Sequence, residues 1–244
     1  MKTRLLYLEN PLLIESVCIV AAVAAREGQV GVVLDKSPFY PKGGGQPCDV
    51  GWLSGSDGRM HVQSVTYAPD RSVVHWGQMD NGAFNVGDIL TATIDGSFRA
   101  RSSRVHSAGE VICAGVFELG KRWKVTAASH APGQSRVAFA CDLRDDEAQD
   151  FVRRLEQQVS EIVDRNDVVE TFLDVPEERV KELCPLESIA HVPEGEGIRL
   201  VSPAPGFFRP CMGAHVSRTG DVGRVLFTKA RVKKGELSVT YDVA

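Results

Sequence analysis

The chain has 244 residues, 43% of them hydrophobic, and a formal net charge of −4 at pH 7. This length suits one large or two modest domains, and the acidic balance argues against a general nucleic-acid binder, because such proteins usually carry a basic excess. The six cysteines form no Cys-x-x-Cys pair, and the longest apolar run, 17–25, is shorter than the roughly 20 residues that span a bilayer, so we expect a reduced, cytoplasmic protein without a membrane partner.

Residues 4–95 have the pattern of an all-β domain. Short runs rich in valine, isoleucine, leucine and tyrosine alternate with turn residues. These runs predict strands at 17–25, 29–34, 62–67, 72–76 and 88–94. Two hairpins are expected, with turns at Glu27-Gly28 and at Pro69-Asp70. Several short strands must hide their edges, so we predict a small β-barrel.

A glycine-rich segment, Ser37-Pro38-Phe39-Tyr40-Pro41-Lys42-Gly43-Gly44-Gly45-Gln46-Pro47-Cys48-Asp49-Val50-Gly51, interrupts this pattern. Its three consecutive glycines allow positive φ and let backbone N–H groups approach a ligand. No Lys-Ser or Lys-Thr follows them, so this is not a Walker-type phosphate loop. The alternative is a flexible surface loop, although Phe39, Tyr40 and the three prolines would stiffen the segment and pack it.

Residues 95–118 predict a helix that stops at Gly120. His106 and Glu110, spaced i and i+4, project together from one face, although such a pair is often only a surface pair. Basic residues flank this segment, and each cluster is either a solvated face or a local nucleic-acid contact. They are Arg99, Arg101 and Arg104 before His106, and Lys121, Arg122 and Lys124 after the helix.

The remaining residues have a mixed pattern. It predicts helices at 145–166 and 177–183 and strands, forming a mostly antiparallel sheet, at 121–129, 135–143, 168–174, 197–202, 207–209, 222–230 and 237–243. We therefore expect an α+β fold with two domains. Residues 1–95 would form a glycine-rich small β-barrel, and residues 96–244 an α+β domain in which helices flank an antiparallel sheet.

Cys211 and His215 lie in a turn-prone connection within that sheet. A thiol and an imidazole are good zinc ligands, but a zinc site needs three or four protein donors. The best candidates for the missing donors are His106 and Glu110, about a hundred residues upstream. The alternative is a buried thiol beside an unrelated histidine.

Together these segments resemble the free-standing alanyl-tRNA editing proteins of the AlaX type, which are related to the editing domain of alanyl-tRNA synthetase. The run from Asp35 to Gly51 resembles the family's D-x-T-x-FYP-x-GGGQP-x-D-x-G signature, and Cys211-Met212-Gly213-Ala214-His215-Val216 resembles its CGGTHV segment. The order of the two motifs, their separation and the Thr219-Gly220-Asp221-Val222-Gly223 run that follows also agree.

The resemblance implies a function and its site. Family members bind one zinc ion through HxxxH and CxxxH motifs, and they hydrolyse the ester that links serine or glycine to tRNA-Ala. Such an enzyme serves translation fidelity, and its partner is tRNA, through the aminoacylated 3′ end and the acceptor stem. Carried over by position, the implied zinc ligands are His106, Cys211 and His215, and Glu110, which stands where the family has its second histidine, is the candidate fourth ligand. The implied catalytic residues are Glu110 and Gln46, and the implied substrate-binding residues are Ser37, Gly43, Gly44, Gly45, Gln46, Met212 and Ala214.

Four positions depart from the family pattern. Glu110 replaces the second histidine, Met212 a glycine, and Ser37 and Ala214 replace threonines. Glu110 could be a fourth zinc donor, since zinc accepts carboxylate oxygen, or a general base beside a three-ligand metal, or a sign that the metal has been lost. Met212 and Ala214 would alter the size of the amino-acid pocket.

Two other functions fit the same scaffold. One is a non-hydrolytic aminoacyl-tRNA-binding homologue, which the changes at Glu110 and Ala214 would explain. The other is a hydrolase of small amino esters or amides, which the net charge of −4 favours because it is unusual for an obligate RNA partner.

Overall fold

A computed structural model of the chain describes residues 2–144, 146–186 and 197–244. The chain forms two compact units, Met1–Arg101 and Ser102–Ala244. The predicted domain boundary after residue 95 remains a prediction. Among the described residues, no helix has both the length and the apolar character that crossing a bilayer requires.

The first unit contains the predicted β-barrel. Its strands are β1 (Arg4–Leu5), β2 (Glu15–Arg26), β3 (Gln29–Leu34), β4 (Lys36–Ser37), β5 (Gly51–Gly55), β6 (Gly58–Tyr67), β7 (Val73–Gly82) and β8 (Ile89–Ile94). Six of them close in the order β2-β3-β7-β6-β5-β8, and β1 pairs with β4 in parallel. Both predicted hairpins are confirmed, because β2 pairs with β3 and β6 with β7, in each case antiparallel.

Alternation along these strands builds the core of the barrel. Every second side chain points inward, and the wholly buried ones include Cys18, Val32, Leu53, Val62 and Ala92. The outward positions are mixed, because β6 exposes Arg59 and Gln63 whereas β2 exposes Val17, Ile19 and Val23. The barrel is therefore a packed core rather than a channel.

The second unit surrounds a long buried helix. Its helices are α1 (Gly96–Glu118), which begins in the first unit, α2 (Ala148–Arg165) and α3 (Glu177–Leu183). Its strands are β9 (Val125–Ser129), β10 (Ser135–Ala140), β11 (Glu170–Val175), β12 (Ile198–Ala204), β13 (Phe207–Pro210), β14 (Val225–Lys233) and β15 (Glu236–Val243). Residues 105–116 of α1 are all buried, so this helix is the centre of the core.

The predicted α+β class is confirmed, but the strands of this unit form two antiparallel sheets where the sequence predicted one. One sheet has the order β14-β15-β10-β9, and the other has the order β11-β12-β13. The connection that carries Cys211 and His215 follows β13 and precedes β14, so it joins the two sheets rather than lying within one. The helix predicted at 145–166 is confirmed as α2, and its buried residues, Phe151, Leu155, Val159 and Ile162, repeat at helical spacing.

Candidate metal centre

Three predicted ligands come together in the second unit. One donor atom each from His106, Cys211 and His215 lies within 4.8 Å of the other two. The sulfur of Cys211 is 3.2 Å from Nε2 of His106 and 3.3 Å from Nε2 of His215. A tetrahedral zinc with bonds of about 2.3 Å to sulfur and about 2.0 Å to nitrogen would separate such donors by roughly 3.5 Å. The three side chains therefore have the chemistry and the spacing of a zinc-binding group.

The connection after β13 approaches α1 closely at Gly213. A Cβ at this position would overlap the imidazole of His106, at 2.9 Å from Nε2 and closer still to two other ring atoms. The N–H of Gly213 points to the Cys211 sulfur at 3.4 Å. Residue 213, between the two ligands of the loop, must therefore be glycine. The imidazole of His106, the third ligand, occupies the space that a side chain at residue 213 would need.

Two buried side chains fix the loop and one of its ligands. Nη1 of Arg199, on β12, donates to the carbonyl oxygens of Cys211 and Gly213 at 2.7 and 3.0 Å. Ser107 Oγ accepts from the N–H of Val216 at 3.1 Å and lies 3.2 Å from Nδ1 of His215. This contact leaves Nε2 of His215 facing the sulfur, and a bond at Nδ1 is the usual way in which a protein orients a metal-binding histidine.

Glu110 lies beside this group, one helical turn from His106. Its Oε1 is 3.7 Å from Nε2 of His106, and its Oε2 is 3.4 Å from Nη1 of Arg209. Both His106 and Glu110 are buried, so the surface-pair alternative is wrong. Burial by itself raises the pKa of Glu110, but Arg209 and His106 outweigh it and hold that pKa well below its usual range.

The centre favours a positive charge at His106. Burial would lower the pKa of His106, but the sulfur of Cys211 and the carboxylate of Glu110 outweigh it and raise the pKa to about 9. The pKa of His215 is held well below its usual value by burial, by His106 and by Arg199. The imidazole of His106 therefore lies between the carboxylate of Glu110 and the sulfur of Cys211, and both neighbours favour a positive charge at this point.

His130 is a neighbour of the centre that the sequence did not indicate. Its ring stacks on that of His106, with centroids 4.2 Å apart and an interplanar angle of 12°. Its Nδ1 lies 2.6 Å from the hydroxyl of Tyr241, on β15. A Cβ at Gly109 would lie 2.5 Å from both His130 and Tyr241. No local motif marks His130, because its partners lie on other elements.

In the first unit, the glycine-rich segment forms an ordered turn. The N–H of Gln46 donates to the carbonyl of Gly43 at 2.9 Å, and the central residues Gly44 and Gly45 have φ of 52° and 77°. Two successive positive φ angles are the geometry that only glycine adopts readily. The tip is exposed, whereas Phe39 and Tyr40 are buried, so the loop is anchored as predicted.

The other predicted substrate contacts differ in exposure. Met212 is 45% exposed, whereas Ala214 is wholly buried. Gln46 is also buried. Ser37, on β4, is buried; its hydroxyl is 2.7 Å from Nε2 of His75, on the barrel strand β7, and accepts from the N–H of Phe39 at 3.1 Å.

The basic residues predicted to form a cluster before His106 are not all exposed to solvent. Arg99 is buried and its guanidinium pairs with the carboxylate of Asp49. It also donates to the carbonyl of Pro38 at 2.7 Å. Arg104 donates through Nε to the carbonyl of Val222 at 3.0 Å. Both the solvated-face and the RNA-contact interpretation are therefore wrong for Arg99, which instead supports the glycine-rich segment.

The comparisons with known proteins cover residues of both units. A family model described as tRNA synthetases class II (A) matches residues 12–98. The alanine–tRNA ligase of Burkholderia multivorans is 33% identical over 208 residues, which are 83% of this chain and 23% of the ligase. That of Halobacterium salinarum is 31% identical over 247 residues, 98% of this chain and 26% of the ligase. The chain is therefore related to the alanyl-tRNA synthetases.

The relationship confirms the family resemblance drawn from the two motifs. A third alanine–tRNA ligase, from Thermobifida fusca, is 33% identical over 211 residues, 83% of this chain and 23% of the ligase. The chain spans about a quarter of the length of the curated proteins that it matches. His106, Cys211 and His215 form a group that could hold a metal ion, and the buried oxygen Oε2 of Glu110 beside them accepts no hydrogen bond in the described structure.

Proposed function

We propose that the chain hydrolyses the ester bond between tRNA-Ala and a wrongly attached amino acid, serine or glycine, as a cytoplasmic editing enzyme of translation. The observation that carries the proposal is the meeting of His106, Cys211 and His215 within 4.8 Å in a relative of the alanyl-tRNA synthetases. Packing of the core does not by itself explain why two nitrogens and one sulfur, from segments about a hundred residues apart, lie together.

The proposed metal is zinc, with Glu110 as the fourth donor. The carboxylate lies on the same face of α1 as His106, and its Oε2 accepts no hydrogen bond in the described structure. When bound, zinc would polarise the ester carbonyl and make water a better nucleophile. Two nitrogen donors and one sulfur donor would come from His106, His215 and Cys211. Glu110 would add a negative charge, which the guanidinium of Arg209, 3.4 Å from Oε2, balances.

The proposed substrate contacts lie in both motifs. The exposed turn at Gly43 to Gly45 offers backbone N–H groups, which bind a carbonyl or phosphate oxygen without a Cβ in the way. Gln46 adds a side-chain amide in the same motif. Met212 and Ala214 shape the space for the amino acid in the later loop. Contact of Ser37 with substrate remains a prediction, since its hydroxyl is bonded to His75.

A deacylation assay tests the proposal. Purified protein is mixed with seryl-, glycyl- and alanyl-tRNA-Ala, with and without a chelator. We expect release of serine or glycine and loss of that activity on chelation. The variant Cys211→Ser should abolish turnover, whereas Cys141→Ser, which changes a half-buried cysteine outside the group, should retain it. Absence of turnover on all three substrates would contradict the proposal.

A second candidate is a protein that binds aminoacyl-tRNA without hydrolysing it. The contact between Arg209 and Glu110 favours it, because the guanidinium competes with a metal for the carboxylate. Filter binding of seryl-tRNA-Ala, done beside the deacylation assay, separates the two functions. Binding without turnover selects the second candidate. Turnover of amino esters without any tRNA binding would instead select the small-molecule hydrolase.

A further inference from the structure

One neighbour of the metal centre, His130, has no part in the proposed donor set. It follows β9 directly and is buried. Its ring is nearly parallel to that of His106, with centroids 4.2 Å apart and an interplanar angle of 12°. Nε2 of the same His106 ring lies 3.2 Å from the sulfur of Cys211. A second imidazole therefore covers one face of the imidazole that would bind the metal.

The orientation of the His106 ring depends on such contacts. Rotation about χ2 of a histidine has broad minima, so rotamer preference alone does not fix the plane of the ring. A bond to a metal ion requires Nε2 to point at the ion, and rotation about χ2 turns it away. Gly213 approaches the ring from the loop, where a Cβ would lie 2.9 Å from Nε2. The loop and His130 together leave the ring little room to turn.

The position of His130 is fixed by a strand of the core. Its Nδ1 lies 2.6 Å from the hydroxyl of Tyr241, on β15. That hydroxyl also donates to the carbonyl of Val105, on α1, at 3.3 Å. Tyr241 pairs with Ser135, the first residue of β10, so the turn between β9 and β10 brings His130 to β15. The stacked ring is therefore held from outside the metal centre.

The helix makes room for this pair at Gly109. A Cβ at residue 109 would lie 2.5 Å from Cε1 of His130 and 2.5 Å from the hydroxyl of Tyr241. Residue 109 follows His106 by three positions, so the two lie on the same side of α1. Glycine inside a helix destabilises it relative to alanine, and here it provides the space in which His130 reaches His106.

We propose that His130 is a positioning residue of the metal centre: its ring holds the plane of His106, and Tyr241 holds His130. His130 is not itself a ligand in this arrangement. The lone pair of a ring nitrogen lies in the plane of its ring, and two stacked, nearly parallel rings do not share a plane that could contain the ion. The inference rests on the metal that the proposed function requires, and it concerns a residue outside both sequence motifs.

Titration of the chelator-treated protein with Co²⁺ tests this role through affinity and visible spectrum. We expect His130→Ala to bind Co²⁺ roughly tenfold to a hundredfold more weakly than the wild type, with altered visible bands. Tyr241→Phe removes only the hydroxyl and should weaken binding by a smaller factor. The matched control is His61→Ala, which removes a histidine ring that packs on Trp52 in the first unit. It should bind Co²⁺ like the wild type.

A different aromatic ring at residue 130 should restore the contact. A phenyl ring needs the space of the Tyr241 hydroxyl, which lies 2.6 Å from Nδ1 of His130. The rescue variant is therefore the double substitution His130→Phe with Tyr241→Phe. We expect its Co²⁺ affinity to be within roughly threefold of that of the wild type, because the stacked face is kept. A double variant as weak as His130→Ala would contradict the stacking role.

Failure of this inference differs from failure of the editing function. Weaker Co²⁺ binding in His130→Ala, with no deacylation by the wild type, supports the positioning role and defeats editing. Deacylation by the wild type, with unchanged Co²⁺ affinity and spectrum in His130→Ala, supports editing and overturns the positioning role, even if the Tm in chelator falls. If His130→Ala does not fold, Tyr241→Phe decides, and wild-type Co²⁺ affinity in that variant overturns the role.

Discussion

Gly213 lies directly against the imidazole of His106, with no space for a side chain between them. A Cβ at residue 213 would come within 2.9 Å of Nε2 and overlap the ring. Backbone atoms of the loop cannot yield cheaply, because Arg199 holds the carbonyls of both Cys211 and Gly213. The loop and the helix therefore fit together only when this residue is glycine.

Gly213→Ala should displace His106 and open the metal-binding group. We expect metal affinity to fall by roughly tenfold to a hundredfold, the range seen when the orientation of a ligand is disturbed. Titration with Co²⁺ measures this, since a sulfur and two nitrogens on cobalt give a characteristic visible spectrum. The neighbouring Met212→Ala, at an exposed side chain, is the matched control and should keep the wild-type spectrum.

Glu110→Gln tests the fourth donor. The substitution keeps the size of the side chain but removes the charge that lies 3.4 Å from Nη1 of Arg209. We expect metal affinity to drop by roughly tenfold or more, and Glu110→His, which restores a nitrogen donor, to recover part of it. Equal Co²⁺ affinity in the wild type and in Glu110→Gln would exclude Glu110 from the donor set.

Metal removal should also lower the stability of the folded chain. A ligand that binds only the native state adds roughly 4 kcal/mol at a concentration a thousand times its dissociation constant. Thermal unfolding with zinc and with a chelator should therefore differ by several degrees in Tm for the wild type. In His215→Asn the two curves should coincide. A wild-type Tm that is the same with zinc and with chelator would show that the folded chain binds no metal.

The parts of this molecule that were predictable are those with a local pattern. Alternation identifies the hairpin of β2 and β3, and the resemblance of the two local motifs to a known family predicts the grouping of His106, Cys211 and His215. The missed features depend on contacts between distant residues. His130 stacks on His106, 24 residues away, and lies 2.6 Å from the hydroxyl of Tyr241, 111 residues away, and β10 pairs with the distant β15 as well as with its neighbour β9. A single sequence contains no periodic signal for either contact.

The pair formed by Asp49 and Arg99 should be a main support of the glycine-rich segment. The carboxylate is wholly buried and also accepts from the N–H of Tyr40 at 2.6 Å. Asp49→Asn would leave the Arg99 guanidinium buried without a counter-charge, which typically costs about 3–5 kcal/mol. Urea unfolding measures the loss. As a control, Asp80→Asn, which removes a carboxylate from the exposed end of β7, should change stability by less than about 0.5 kcal/mol.

The final prediction concerns His75 and pH. This imidazole is wholly buried in the barrel, and its Nδ1 lies 2.9 Å from the carbonyl of Val32. Burial lowers its pKa to about 4, while the contact with Val32 raises it slightly. In the unfolded chain a histidine titrates near 6.5, so between about pH 4 and 6.5 the unfolded state binds more protons than the folded state. Stability contributed by neutral His75 is therefore present above pH 6.5 and is lost as the pH falls towards 4.

A pKa difference of this size corresponds to about 3 kcal/mol across the window. His75→Gln has no titratable group, so its free energy of unfolding should fall less than that of the wild type between pH 6.5 and 4. Both proteins carry Trp123→Phe, so that Trp52 and Trp76 report on the barrel during urea unfolding. Parallel pH profiles for the two proteins would mean that His75 is already able to accept a proton in the folded barrel.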